Sequence, residues 1–85
     1  MGVHCLIIED ETDTARFVCN GLKEAGYTVT WCPEVVDGLH LAGSEQWGMI
    51  ILDRMLPGNV DGLSIVETLR RLGKKTPVLI LSALA

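Results

Sequence analysis

Short apolar runs alternate with amphipathic stretches along the 85-residue chain. Four runs are typical of strands, at 3–8, 27–32, 49–53 and 77–82. Three of them are nearly continuous, as in strands buried on both faces of a parallel sheet, whereas 27–32 alternates and predicts one exposed face. The stretches between the strands carry apolar residues at helical spacing. This alternation predicts an α/β fold, a doubly wound parallel sheet with right-handed crossovers and helices on both faces.

The three predicted helices begin at residues that favour a helix start and end at glycines. The expected starts are Thr12 or Asp13, Pro33 and Asp61, and the expected ends are Gly26, Gly43 and Gly73. Each helix has an apolar stripe that we expect to face the sheet. The stripes are Ala15, Val18, Cys19, Leu22 and Ala25 in the first helix, Val35, Val36, Leu39 and Ala42 in the second, and Ile65, Val66, Leu69 and Leu72 in the third.

Composition limits the classes of function. A chain of 85 residues forms at most one domain, and a net charge of −4 argues against binding to nucleic acid. No apolar run approaches the roughly 20 residues of a membrane span, and no basic signal region begins the chain, so a cytoplasmic location is expected. The three cysteines are odd in number and widely separated, which favours free thiols over disulfides or a zinc site.

Polar residues stand where three of the predicted strands end. Glu9, Asp10 and Glu11 follow the first strand, Asp53 ends the third, and Ser82 ends the fourth. Ligand sites of such sheets lie at the carboxyl ends of the strands. Taken singly, Asp53 could also be a polar residue leaving the core, and Ser82 a small residue closing a strand.

If the first and third strands are neighbours, then Glu9, Asp10 and Asp53 converge. Clustered carboxylates repel one another unless a cation lies between them, and oxygen ligands of this kind suit Mg²⁺. The sequence therefore predicts a Mg²⁺ site that supports phosphoryl transfer, with Asp53 as the nucleophile and the Ser82 hydroxyl as a donor to the phosphoryl group. Glu11 and Asp13 are assigned to solvent.

Three segments together resemble one protein family. They are LIIEDE at 6–11, ILDRMLPGNVDG at 51–62 and PVLILSA at 77–83. In this order and at these separations they resemble the receiver domain of bacterial two-component response regulators, most closely the OmpR/PhoB type. The resemblance spans residues 1–85 and implies a flavodoxin-like, CheY-like three-layer sandwich.

The resemblance also implies roles for individual residues. It makes Asp53 the phospho-acceptor, Asp10 a direct Mg²⁺ ligand, Glu9 an acid acting through water, Met55 the donor of a backbone carbonyl to the metal, Ser82 the switch hydroxyl and Ala83 its small neighbour. The implied partner is a sensor histidine kinase, and the protein is a regulatory domain rather than an enzyme. DNA would be bound only through a separate effector domain. Arg54 would lie at the rim of the site, where it could affect access or simply be solvated.

The chain departs from the family pattern in two ways. Asn59-Val60 makes the loop after the acceptor one residue longer, and the sequence stops at Ala85, before the helix, strand and helix that the family pattern would add. An exposed fourth strand then predicts a homodimer or other self-association. The alternative function is a phosphate-independent interaction module. A dinucleotide-binding domain is disfavoured because acidic residues occupy the turn where glycines would admit phosphate.

Overall fold

The protein folds into a parallel sheet with helices on both faces. The computed structural model describes residues 3–82, and within them no helix is long and apolar enough to cross a membrane. The elements in chain order are β1 (His4–Ile8), α1 (Thr12–Glu24), β2 (Thr28–Cys32), α2 (Val35–Ser44), β3 (Met49–Asp53), β4 (Met55–Leu56), β5 (Val60–Asp61), α3 (Gly62–Arg71) and β6 (Val78–Leu81). The predicted α/β fold is confirmed. Ala83, which was predicted to lie beside the Ser82 hydroxyl, is outside the described residues.

The main sheet has the strand order β2-β1-β3-β6, and all its pairs are parallel. Ile8 pairs with Cys32 on one side and with Leu52 on the other, and Asp53 pairs with Leu81. The carboxyl ends of the three adjacent strands β1, β3 and β6 therefore lie together at one end of the sheet. The polar residues noted in the sequence lie at this end.

The two faces of the sheet are covered by different helices. Leu6, Ile8, Ile50 and Leu52 belong to one buried cluster with residues of α2 and α3, among them Ala42 and Leu69. On the opposite face, Ile51 and Leu79 border a cleft beside α1. β1 and β3 are thus packed from both sides, as their continuous apolar sequences predict.

The buried face of α2 agrees with the predicted stripe only in part. Ala42 is buried and Val35 packs against the core as predicted, but Val36 is 78% exposed and Leu39 is 38% exposed. Gly38, which was not in the stripe, is buried. A β-carbon at position 38 would come within 2.9 Å of Ile8 side-chain atoms, so the small residue allows α2 to lie close to the sheet. A pattern of hydrophobic residues does not reveal the position of Gly38 on this face, because its contact with Ile8 depends on the small size of glycine. The helix also continues through Gly43 to Ser44, and Pro33 precedes it rather than forming its first turn.

Two other helix details differ from expectation. Glu11, rather than Thr12 or Asp13, is the N-cap of α1: its side chain accepts a hydrogen bond from the Asp13 N–H. Ala25 and Leu72, which were predicted to be buried, are exposed because they follow the last turns of α1 and α3. The predicted end glycines of these two helices are confirmed, since Gly26 and Gly73 adopt φ values of 95° and 81°.

A small hairpin occupies the segment that was expected to be only a loop. β4 and β5 pair antiparallel, with Met55 opposite Asp61 and Leu56 opposite Val60. Its turn contains two consecutive residues with positive φ, Gly58 at 80° and Asn59 at 59°. Asp61 then caps α3 as predicted, because its side chain accepts the Leu63 N–H.

Gly62 begins α3 directly against the end of β3. A β-carbon at this position would overlap the Asp53 carbonyl oxygen and the Leu52 side chain. We expect Gly62→Ala to lower the free energy of unfolding by roughly 1–3 kcal/mol, because backbone must shift to make room. Urea denaturation measures this change.

Gly21→Ala is the matched control for this prediction. Gly21 lies at an exposed position of α1, and a β-carbon there would have no heavy atom within 4 Å beyond the backbone of its own helix and its two chain neighbours. Removing the backbone freedom of a helical glycine is expected to stabilise the fold by roughly 0.5–1 kcal/mol. Equal effects of the two substitutions would contradict the close approach of α3 to β3.

Candidate functional site

The site is a cleft at the carboxyl ends of β1, β3 and β6. Glu9 follows β1, Asp53 is the last residue of β3, and Ser82 follows β6. The cleft measures about 530 Å³, and its lining is Glu9, Glu11, Thr14, Phe17, Val18, Asp53, Leu81 and Ser82. The structure therefore brings Glu9, Asp53 and Ser82 to one place, as the sequence predicts.

Three carboxylates converge at this edge. Ligand atoms of Glu9, Asp10 and Asp53 all lie within 4.8 Å of one another. Glu9 is buried, Asp53 is half-buried and Asp10 is exposed. The predicted convergence is thus present, and the like charges concentrate beside a buried strand end.

Glu9 is held from several directions. Its N–H donates to the Cys32 carbonyl oxygen at 3.2 Å, and its own carbonyl accepts the Trp31 indole N–H at 2.7 Å. The Glu11 N–H donates to Glu9 Oε1 at 3.1 Å. These contacts fix both the backbone and one side-chain oxygen of Glu9, so its carboxylate has little freedom to turn toward solvent.

The second carboxylate oxygen of Glu9 has no hydrogen-bond donor beside it in the part of the chain that the structure describes. Oε2 is buried and accepts no hydrogen bond from the described residues. Burial, then a hydrogen bond that protonated Glu9 can make with the Asp53 carboxylate, and the negative charges of Asp53 and Asp10 raise the pKa of Glu9 from 4.5 to about 7, although the Glu11 N–H opposes the change. A buried acid with one unsatisfied oxygen and two acidic neighbours is a place where a cation would be stabilised.

The backbone around Asp53 is fixed by both neighbouring elements. The Arg54 N–H donates to the Leu81 carbonyl at 2.8 Å, and the Gly62 N–H donates to the Arg54 carbonyl at 2.6 Å. The absence of a side chain at Gly62 lets the start of α3 approach this backbone. Asp53 is consequently attached to a rigid strand end rather than to a mobile loop.

Met55 and Ser82 lie near Asp53. With Arg54 and Leu81, they line a second small cleft that also includes Asp53. The Met55 side chain is exposed, as expected if only its backbone were to serve the site. The roles assigned to the Met55 carbonyl and the Ser82 hydroxyl stay predictions.

Arg54 has a defined partner instead of being only solvated. Its Nε donates to Asp61 Oδ1 at 3.0 Å, and the two side chains are 48% and 44% exposed. The same Asp61 oxygen accepts the Leu63 N–H at 2.9 Å. Both hydrogen bonds lower the pKa of Asp61, with the backbone bond having the larger effect.

Sequence reasoning missed two supports of the site. Trp31 reaches the Glu9 carbonyl from the neighbouring strand, and no motif or spacing in the sequence indicates this contact. Glu11 was assigned to solvent, yet its backbone N–H binds Glu9 and its side chain caps α1. Thr12 and Asp13 are of the residue types that commonly cap helices, whereas Glu11 is not, so the sequence favoured the wrong residue as the N-cap.

A parallel sheet with an acidic cleft at the carboxyl ends of its strands is the arrangement found in response regulator receiver domains. Residues 5–85 match the family described as "Response regulator receiver domain". The chain belongs to this family, and the resemblance stated from the sequence is confirmed.

The similar curated proteins are transcriptional regulators. The chain is 49% identical over 78 residues to the transcriptional activator protein IrlR of Burkholderia pseudomallei strain 1026b, and 47% identical over 78 residues to the transcriptional regulatory protein HprR of Escherichia coli K12. Each match covers 92% of this chain but only 33% and 34% of these relatives. The chain therefore spans about a third of the length of the curated relatives that it matches.

Solved structures share the fold. The receiver domain of the Francisella response regulator 1452 matches with a TM-score of 0.87 and 31% identity, covering 98% of this chain and 68% of that one. The receiver domain of a Pseudomonas aeruginosa sensor histidine kinase, which has a magnesium ion in its active-site cleft, matches with a TM-score of 0.84 and 26% identity, covering 98% and 69%. A Burkholderia pseudomallei response regulator with a phosphorylated aspartic acid matches with a TM-score of 0.79 and 32% identity, covering 98% and 48%. The predicted CheY-like receiver fold is confirmed.

The raised pKa of Glu9 predicts a pH-dependent stability. The pKa of Glu9 is 4.5 in the unfolded chain and about 7 in the folded protein, so ionisation of this carboxyl destabilises the folded state relative to the unfolded state. In chelator, stability should therefore fall as the pH rises between about 4.5 and 7, by up to about 3 kcal/mol. Glu9→Gln should remove this part of the slope and make the metal-free protein more stable above neutral pH.

Urea denaturation of the wild type and the variant at several pH values tests this prediction. Glu24→Gln, at an exposed position of α1, is the matched control and should leave the slope unchanged. Parallel stability curves for wild type and Glu9→Gln would show that the Glu9 carboxyl does not cause the pH dependence.

Proposed function

We propose that this receiver domain accepts a phosphoryl group on Asp53 from the phosphohistidine of a sensor histidine kinase, with Mg²⁺ as the cofactor. The observation that carries this proposal is the convergence of Glu9, Asp10 and Asp53 at the ends of two adjacent strands. The similar Burkholderia structure with a phosphorylated aspartic acid supports the same chemistry. A phosphate-independent interaction module would have no need for an acid buried beside two others.

The residues fit a magnesium ion. All the available ligands are oxygens, and the buried Glu9 Oε2 has no other partner among the described residues. Asp10 and Asp53 would be direct ligands, Glu9 would act through water, and the Met55 carbonyl would complete the protein ligands. The similar Pseudomonas receiver domain with magnesium in its cleft supports this choice of metal.

A bound Mg²⁺ would neutralise the carboxylates and the equatorial phosphoryl oxygens as charge develops on them. An Asp53 carboxylate oxygen would form the new bond to phosphorus while the bond from phosphorus to the histidine nitrogen breaks. The imidazole leaves with its electron pair, and Asp53 becomes an acyl phosphate. The rigid end of β3 keeps the attacking oxygen in place, which lowers the entropic cost of an in-line approach.

Ser82 would respond to phosphorylation of Asp53. Its hydroxyl borders the cleft that contains Asp53 and could donate a hydrogen bond to a phosphoryl oxygen. The protein would then act as a regulatory switch rather than as an enzyme with a released product. The similar transcriptional regulators support an output on transcription, through a DNA-binding domain separate from these residues. This role calls for a cytoplasmic location.

Phosphoryl labelling tests the proposal. With Mg²⁺ and a small phosphodonor such as phosphoramidate, the protein should gain one alkali-labile phosphoryl group, detected by intact-protein mass spectrometry. Asp53→Asn should abolish the label because no nucleophile remains, and Asp10→Asn should reduce it by weakening the metal site. Asp13→Asn, which removes an exposed acid outside the cluster, is the matched control and should label normally.

Two outcomes would contradict the proposal. Label on a serine or threonine would exclude the acyl phosphate on Asp53. Undiminished labelling after removal of Mg²⁺ with a chelator would exclude the metal from the reaction.

Self-association is a second proposal, and it rests on the apolar cleft beside α1. Phe17 is 81% exposed and Leu79 is 51% exposed, and both border this cleft. Within residues 3–82, β6 pairs only with β3 and forms the outer edge of the sheet. In a preparation of these 85 residues, this strand edge and the exposed apolar side chains beside it would favour pairing with another chain.

We expect these 85 residues, prepared alone, to form dimers or larger species, and Leu79→Ser to weaken this association by roughly tenfold, because the contact loses a buried leucine. Analytical ultracentrifugation at several concentrations measures the change. Leu63→Ser, at an exposed leucine of α3, is the matched control and should associate like the wild type. A monomeric wild type, or equal weakening by both substitutions, would contradict association through this cleft.

A further inference from the structure

Arg54 lies between two acidic groups. It borders the small cleft that also contains Asp53 and Ser82, while its guanidinium binds Asp61 on the other side. A guanidinium attached to the residue next to Asp53 has a high effective concentration at the acidic cluster. The direction in which this side chain extends therefore bears on how accessible the cluster is to an external cation.

The contact with Asp61 is prearranged. Asp61 Oδ1 is fixed by the Leu63 N–H at the start of α3, and the backbone of Arg54 is fixed by Leu81 and Gly62. Only the Arg54 side chain must lose freedom when the ion pair forms. An exposed ion pair adds little to stability, but it can still select one of two positions for a mobile cationic side chain.

We propose that Asp61 holds the Arg54 guanidinium away from Glu9, Asp10 and Asp53 and thereby keeps the cation position free for Mg²⁺. This inference rests on the proposed function, since it concerns the same metal site. Arg54 and Asp61 are positioning residues in this account and do not contact the phosphoryl group. Without Asp61, the guanidinium would compete with Mg²⁺ for the carboxylates.

The Mg²⁺ affinities of the wild type, of one single variant and of one double variant test the inference. Asp61→Asn removes the charge that holds Arg54 but keeps a good N-cap, because asparagine caps helices about as well as aspartate. We expect this variant to bind Mg²⁺ about fivefold more weakly or worse, a typical coupling between interacting sites. Arg54→Gln combined with Asp61→Asn should bring the affinity back to within about twofold of the wild type, because the competing cation is gone.

Isothermal titration calorimetry supplies the affinities, and the NMR signal of the Arg54 Nε–H supplies an independent readout. In Asp61→Asn this signal should shift, and titration with Mg²⁺ should shift it again as the guanidinium leaves the carboxylates. Glu67→Gln is the matched charge control: it removes one negative charge from an exposed position of α3 without touching Arg54. Its Mg²⁺ affinity should stay within about twofold of the wild type.

The outcomes separate this inference from the proposed function. A wild type that binds no Mg²⁺ would overturn both. If the wild type binds Mg²⁺ but Asp61→Asn binds it equally well, or if the double variant is as weak as Asp61→Asn alone, then only the role of Arg54 and Asp61 is overturned.

Discussion

Parallel pairing of β1 with β3 is the constraint on which the acidic site depends. Ile8 lies opposite Leu52, so the next residues of the two strands, Glu9 and Asp53, must lie side by side. Their carboxylates repel each other, and the strands above them oppose that repulsion by burying apolar side chains, each worth roughly 1.5–3 kcal/mol. The core therefore holds together a group of charges that would separate if the strands were free to do so.

Local signals in the sequence were sufficient for most of the fold. Apolar runs located the four long strands, and Gly26, Gly73 and Asp61 marked helix ends and a helix start, because their effects depend on nearby backbone. That the first and third strands are neighbours was only a condition of the sequence argument, and the structure shows that it is met. The face of α2 was predicted only in part: Val35 and Ala42 lie on it as expected, but the contact of Gly38 with Ile8 was missed. That contact arises from small size and from a partner thirty residues away in sequence.

The acidic cluster could be predicted, but its supports could not. Glu9, Asp10 and Asp53 were identified because polar residues at the ends of buried strands are conspicuous. Trp31 donates to Glu9 across 22 residues of sequence, and this contact depends on the register between β1 and β2. The hairpin and the Arg54 ion pair likewise depend on how the chain turns after Asp53. Side-chain partners across a turn or between strands become visible only when the backbone path is known.

The β4–β5 hairpin is held by hydrogen bonds at its base, and this allows its tip to vary in length. The Gly62 N–H and the Asp61 side chain both bind Arg54, so the two ends of the segment are joined whatever lies at its tip. The extra residue at Asn59-Val60 is taken up in a turn that projects from this junction, where Gly58 and Asn59 adopt left-handed backbone angles. Insertions and deletions can therefore accumulate at the tip during evolution without changing the distance between α3 and Asp53. The hairpin gives this part of the domain a freedom in length that the tightly packed ends of β1 and β3 lack.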